Sequence, residues 1–193
     1  MEREILLTGI GGQGVQLGSS ILARAAVLEG RQVMLFGSYG GTMRGGPTDS
    51  TLVVADAPIA SPPIVSRAWG ALAMHHAFWA PLRAKLRPGA VVALNASLFE
   101  GEVDRDACRV FDVPATEIAT QQGSVLAAAM VLVGAFAGVT GLVGVDSLVE
   151  AMRALVPAYR VQHLDWNERA LRAGFDAVPR GAAPAWSGEE QAA

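Results

Sequence analysis

EILLTGIGGQGVQLGSSILARAAVLEGRQVMLF, residues Glu4–Phe36, is the stretch whose reading decides the fold. Arg3 to Thr8 turns apolar in the manner of a strand buried on both faces. Four glycines then crowd between Gly9 and Gly14, and Val15 to Glu29 has the composition of a helix. Gln32–Phe36 is a second strand, reached by a short connection through Gly30. Strand, glycine turn, helix and strand together predict a β-α-β unit with a right-handed crossover.

The alternation continues outward from that unit. A glycine-rich loop, GSYGGTMRGGPTD (Gly37–Asp49), leads to the β-rich STLVVAD and the breaker PIASPP. Loops of that length inside a compact domain are usually functional. AWGALAMH predicts a strand, AFWAPLRAKLRPG a helix closed by Gly89, and AVVALNAS another strand. RVFDVPA then leads to a helical turn capped by Thr116. Two further helices are expected at Val145–Leu155 and His163–Ala177. The fold class is therefore α/β: one Rossmann-like domain over residues 1–178, with a mainly parallel sheet, helices on both faces and a helical C-terminal part. Residues 179–193, rich in Pro, Gly and Ala, are expected to be a loose tail or one docked on a partner through Trp186.

Of the 193 residues, 51% are hydrophobic and 17% charged, which suits a domain with a sizeable core. A net charge of −3 supplies no basic field for a phosphodiester polymer, so nucleic acid is not an expected partner. Cys108 is the only cysteine, which excludes an intramolecular disulfide and a cluster held by four thiolates of this chain. A reducing cytoplasm fits, and the charged start MEREILL has no export signal. Ser124–Val145 is uncharged and about as long as a membrane span. Its Ala, Gly and Val content, the interruption at Gly138–Gly141 and the lack of flanking Lys or Arg predict a buried helix instead.

Gly9, Gly11 and Gly14 satisfy a G-x-G-x-x-G pattern between strand and helix, where main-chain N–H groups and a helix start would attract a phosphate. The residues alone leave three uses open. A dinucleotide needs an acid at the end of the second strand, and Phe36, Gly37, Ser38 and Tyr39 offer none; Ser38 with Arg44 would instead serve the 2′-phosphate of NADP. Another phosphate, or no ligand at all, is compatible with the same turn. Arg44, in MRGGP, is either a fork for phosphate or carboxylate or a surface arginine paired with a residue such as Asp49. His75 and His76, adjacent in an expected strand, would point to opposite faces and share no metal. Neither a nucleophile elbow, a Walker-type loop nor a paired-carboxylate site is present, so no catalytic residue and no metal ligand is assigned.

In combination these pieces are more specific than any one of them. GIGGQGVQLGSSILARAAVLEGRQVMLFGSYGGTMRGGPTDSTLVVADAPIASP, with VPATEIATQQGSVLAAAMVLVGAFAGVTGL and NERALRAGFDAV further on, resembles the gamma subunit of the 2-oxoacid:ferredoxin (acceptor) oxidoreductases over roughly residues 4–177. Asn167, Ala170 and Gly174 match the family's Asn, Ala and Gly. The chain departs from the family pattern near Trp69 or Gly70, where Asp is common, and at Ser124 and Ala129, where Asn is. The resemblance implies a complex that oxidatively decarboxylates a 2-oxoacid and passes the acyl group to coenzyme A. It implies thiamine diphosphate, Mg and iron-sulfur clusters in partner subunits: thiamine-binding alpha and beta chains, a ferredoxin-like cluster chain and, in some complexes, a flavin subunit linked to NAD. No Gly-Asp-Gly thiamine signature occurs in this chain. Gly11, Gly12, Gln13, Gly14, Ser38, Tyr39, Arg44 and Gly45 are the residues expected at a shared coenzyme A site. The competing uses are a stand-alone NADP reductase and a purely structural adaptor. The 2-oxoacid itself is not legible here.

Overall fold

The strand that precedes the glycine turn lies inside a six-stranded sheet of order β2-β3-β1-β4-β5-β6 in the computed structural model, which describes residues 1–39, 45–60 and 65–186. The strands are β1 (Glu2–Ile10), β2 (Gln32–Tyr39), β3 (Pro47–Ala55), β4 (Ala68–Ala73), β5 (Leu86–Asn95) and β6 (Cys108–Val113). The helices are α1 (Val15–Leu28), α2 (Trp79–Arg83), α3 (Ala115–Gln121), α4 (Ala128–Thr140), α5 (Val145–Leu155) and α6 (Leu164–Asp176). β1, β4, β5 and β6 pair in parallel, while β3 runs antiparallel to both β1 and β2.

The insertion of β3 corrects the simple β-α-β expectation, because β2 is not the neighbour of β1. The physical reason is in the side chains. Leu52, Val53, Val54 and Ala55 of β3 are all fully buried, whereas Leu35 and Phe36 of β2 are 37% and 56% exposed. A strand apolar on both faces gains most from a central place, and a half-exposed one is left at the edge. The short connection between β2 and β3 also allows only an antiparallel return.

Helices lie on both faces, unequally. Ile5, Leu7, Leu52, Val54, Val91 and Ala93 face a large core built with α1, α4, α5 and α6. Leu6, Ala71, Ala73, Val92 and Leu94 face a smaller one closed by Trp79 and Leu82 of the short α2. Every residue of α4 is buried, which accounts for its uncharged sequence, and it ends where Gly141 turns left-handed at φ 58°. Among the described residues no helix is long and apolar enough to cross a membrane.

Two local expectations are corrected. The helix expected to run to Gly89 stops at Arg83, and Gly89, at φ 76°, lies inside β5 where the β4–β5 register shifts between Ala68 and Gly70. Pro88 disfavours a helical Arg87, which leaves that stretch extended. β4 ends at Ala73, so His75 and His76 are not in a strand; their rings stack, with centroids 4.4 Å apart and 28° between planes. His75 Nδ1 accepts the Ala77 N–H at 3.1 Å and starts a single 3-10 turn.

Residues 179–186 of the expected tail lie along their own domain. Gly181, Ala183 and Ala185 donate N–H bonds to the Gly138, Val139 and Thr140 carbonyls at the end of α4. Arg3, 2% exposed, donates Nε–H to the Ala185 carbonyl at 2.6 Å and stacks on Trp69, which also meets Phe136 edge-on. Trp186 donates Nε1–H to the Leu142 carbonyl at 3.1 Å, and its ring carries the Arg31 guanidinium at 3.9 Å. Trp69 thus fills an apolar position rather than supplying the polar contact of an Asp.

Candidate functional site

The glycine turn is braced from within by Gln13. Gln13 N–H donates to the Ile10 carbonyl at 3.0 Å, and Gln13 Oε1 accepts the Ile10 N–H at 2.8 Å. Gln13 is therefore a lock for the bend. Gly12 and Gly14 sit at φ 103° and 83°, a region that L side chains rarely enter, and Gly14 is the residue that starts α1. A Cβ on Gly12 would meet nothing within 4 Å, so the turn is open on that side. A Cβ on Gly14 would stand 3.2 Å from Ala129, so here glycine also lets α1 approach α4. No acidic side chain stands in the first turn of α1.

The second glycine-rich loop meets the first from the β3 side. Gly11 N–H donates to the Gly46 carbonyl at 2.8 Å, and a Cβ on Gly11 would lie 3.3 Å from the Gly45 nitrogen. Gly45 itself takes φ 108°. Ser38 and Tyr39 end β2 in register with Asp49 and Thr48, at the same edge of the sheet. Gln16 Nε2 donates to the Asp49 carbonyl at 2.8 Å and ties α1 to that edge. Arg44 lies outside the described residues. The sheet thus brings together Gly11 to Gly14 and Gly45, while the backbone ends of Ser38 and Tyr39 reach the same edge on the far side of β3.

Beside the turn, at the C-terminal ends of β1 and β4, opens a cavity of about 160 Å³. Gly12, Gln13 and Met74 form one wall, and Leu98, Thr116, Val125, Leu126 and Ala128 form the other. From β1 the chain leaves toward β2 and β3, while β4, β5 and β6 lie on the opposite side, so this is the switch point where open α/β sheets hold ligands. Asn95, fully buried, organises the far wall: Nδ2 donates to the Thr116 hydroxyl at 2.9 Å and Oδ1 accepts the Thr116 N–H at 3.2 Å. Thr116 was expected to cap its helix; α3 starts instead after Pro114, and Thr116 serves Asn95. Val125 and Leu126 remain 53% and 74% exposed at the cavity mouth.

The wall residues Leu98, Thr116, Val125 and Leu126 were not among the expected site residues. No local motif marks them. The signal available was topological: Leu98 and Thr116 follow the ends of β5 and β6 at the edge carrying the glycine turn, and Val125 and Leu126 lie in the turn between α3 and α4.

A somewhat larger cavity, about 230 Å³, lies between α2 and the opposite face of β1 and β3. Its lining includes Asp49 and Lys85, and Asp49 Oδ1 accepts the Thr8 hydroxyl hydrogen bond at 2.6 Å. It is away from the main-chain donors of the turn, and size alone does not make it the better candidate. Cys108 is buried, and burial first, then Asp104, pushes its thiol up from the ordinary value, which weighs against a thiolate nucleophile. Among the described residues no group of three or more His, Cys, Asp or Glu is placed to hold a metal ion.

The strand order bears on the dinucleotide reading. Its geometry needs the end of the second strand beside the glycine turn to reach the adenosine ribose. Here β3 separates β2 from β1, which moves the end of β2 two strand spacings, roughly 10 Å, from β1. That weighs against an NAD(P) site on this turn.

The sequence matches the family model described as pyruvate ferredoxin/flavodoxin oxidoreductase over residues 4–177. It is 30% identical over 187 residues to the 2-oxoglutarate synthase subunit KorC of Methanothermobacter thermautotrophicus, covering 94% of this chain and 97% of that one. It is 31% identical over 184 residues to the pyruvate synthase subunit PorC of the same organism, covering 92% and 96%. Among solved structures, the keto/oxoacid ferredoxin oxidoreductase gamma subunit of Geobacter sulfurreducens superposes with a TM-score of 0.78 at 26% identity, covering 91% of this chain and 95% of that one. With the mainly parallel sheet and the glycine turn at the C-terminal edge of its parallel strands, these likenesses show that the chain belongs to the pyruvate ferredoxin/flavodoxin oxidoreductase family, as a gamma-type subunit of a 2-oxoacid:ferredoxin oxidoreductase complex.

Proposed function

We propose that this subunit contributes one wall of a shared coenzyme A site, while thiamine diphosphate, Mg and the iron-sulfur clusters belong to companion subunits. The observation that carries the reading is the open Gly12–Gly14 turn forming a wall of the switch-point cavity. Main-chain N–H groups at the start of α1, with no acid in its first turn, suit a pyrophosphate, and the Met74, Leu98, Val125 and Leu126 wall suits an uncharged thioester arm. At about 160 Å³ the cavity is well below the roughly 300–1,000 Å³ that encloses a drug-sized ligand, so it is part of a site completed by a neighbour. From its place in the sequence between Tyr39 and Gly45, Arg44 is proposed as the fork for a phosphate.

Arg44→Ala in the assembled complex should raise the KM for coenzyme A about tenfold while leaving 2-oxoacid-dependent CO2 exchange nearly unchanged. An unchanged KM rejects the assignment. If the loops only plug into a thiamine-binding chain, the same substitution releases this subunit on size-exclusion chromatography instead. The two relatives are subunits of a 2-oxoglutarate synthase and a pyruvate synthase at nearly equal identity, which supports a 2-oxoacid pocket built in companion subunits.

A further inference from the structure

β2 is the edge strand of the sheet, and its eight residues have none of the devices that normally protect such an edge. Gln32 to Tyr39, QVMLFGSY, contains no charged residue and no proline, and it pairs with β3 in unbroken register. Natural edge strands are blunted by lysine, proline, bulges or a covering segment, because their outward N–H and C=O groups otherwise template another strand. Among the described residues the outer edge of β2 has no strand against it.

The apolar surface clusters at the same place. Leu35 and Phe36 are 37% and 56% exposed, and α1, which packs over β2, exposes Val27 and Leu28 at 56% and 41%. Val33 packs toward the α1 core, which puts Val33 and Leu35 on the helix-bearing face and Met34 and Phe36 on the other. An edge that is neutral along its length and apolar on both faces is complementary to itself.

From this we infer that β2 pairs antiparallel with β2 of a second copy of this chain across a two-fold axis, joining two six-stranded sheets into one. A two-fold axis normal to the sheet keeps faces matched, so Val33 and Leu35 meet their own kind on the helix side and Met34 and Phe36 do so on the other. No like charges are brought opposite one another, which is the usual obstacle to self-pairing. The contact is at the sheet's side edge, and it does not depend on the assignment of coenzyme A to the glycine turn.

The test is cysteine cross-linking in the native complex. Phe36→Cys, in a chain whose only other cysteine is the buried Cys108, is treated in the assembled complex with a short bismaleimide, the unsubstituted complex serving as control. The expected result is a product of twice the 20.1 kDa chain mass, absent from the control. A product joined to a different subunit, or no product, overturns the proposal. As a second measurement, sedimentation equilibrium of the purified full chain should show a dimer whose dissociation constant rises at least about tenfold with Leu35→Lys, the circular dichroism spectrum being unchanged. A wild-type chain that stays monomeric, or a dimer indifferent to Leu35→Lys, also overturns it.

Discussion

Gly174→Ala should be among the most damaging single-methyl changes in this chain. A Cβ on Gly174 would stand 2.0 Å from the Val131 carbonyl oxygen and 2.7 Å from its carbon, both backbone atoms of α4. The contact is reciprocal, since a Cβ on Gly134 would stand 2.0 Å from the Leu171 carbonyl oxygen of α6. Real Cβ contacts essentially never fall under 3.0 Å, so α4 and α6 must separate by about 1 Å, and backbone inside two helices has no rotamer with which to yield. A gap of that size forfeits about a quarter to a half of each dispersion well along the seam, where Val131, Ala170 and Leu171 are fully buried. Overpacking of this kind costs about 1–3 kcal/mol and occasionally more, and alanine returns about 1 kcal/mol of helix propensity. A net loss of about 2 kcal/mol is expected, or a fall in Tm of about 4–8 °C for a chain of this size. Gly18→Ala is the matched control: its Cβ would meet only the Val133 Cγ2 at 3.1 Å, a side-chain methyl that can shift, so its Tm should move by no more than about 3 °C. Differential scanning calorimetry of the three proteins decides the matter. Equal transitions for Gly174→Ala and Gly18→Ala refute the close approach of α4 and α6.

Three further outcomes follow from contacts already described. Gln13→Ala leaves the Ile10 N–H without its Oε1 partner, so it should lower the unfolding free energy by about 1–2 kcal/mol in urea titration; a neutral result means Gln13 does not lock the turn. Trp186→Ala removes the hydrogen bond to Leu142 and the ring under Arg31, and should cost about 2 kcal/mol, seen as a Tm lowered by about 4–8 °C. The Arg153 guanidinium first, and Arg172 after it, holds the Glu168 carboxyl below its ordinary value of 4.5. A depressed carboxyl stabilises above its unfolded value and loses that contribution as pH falls through the folded one. Glu168→Gln should therefore match wild type in stability below that window and fall slightly behind above pH 5, by less than about 1 kcal/mol because Arg153 is largely exposed and the pair is screened by solvent. Stability–pH curves that stay parallel throughout contradict that sign.

The glycine turn was legible as local sequence. Gly12 and Gly14 do take positive φ, and Gly9 to Gly14 does link β1 to α1, because only glycine makes that turn without strain. The uncharged Ser124–Val145 stretch does contain a helix buried on all sides. Gln13, read as a site residue, proves to be bonded to its own turn, a relation that spacing alone does not reveal. The cavity's far wall escaped notice because Leu98, Thr116 and Leu126 are distant in sequence from Gly12 and meet it only through the parallel register of β1, β4, β5 and β6.

By itself, the sequence determined those features whose cause lies within a few residues: the glycine bend, the period of the helices, and the family pattern over residues 4–177. Only the tertiary structure decided that β3 separates β1 from β2, that Gly134 and Gly174 let two helices touch backbone to backbone, and that β2 is left at an open edge. Those outcomes depend on which strands and helices compete best for burial against one another, a comparison made across the whole chain and written in no single window of it.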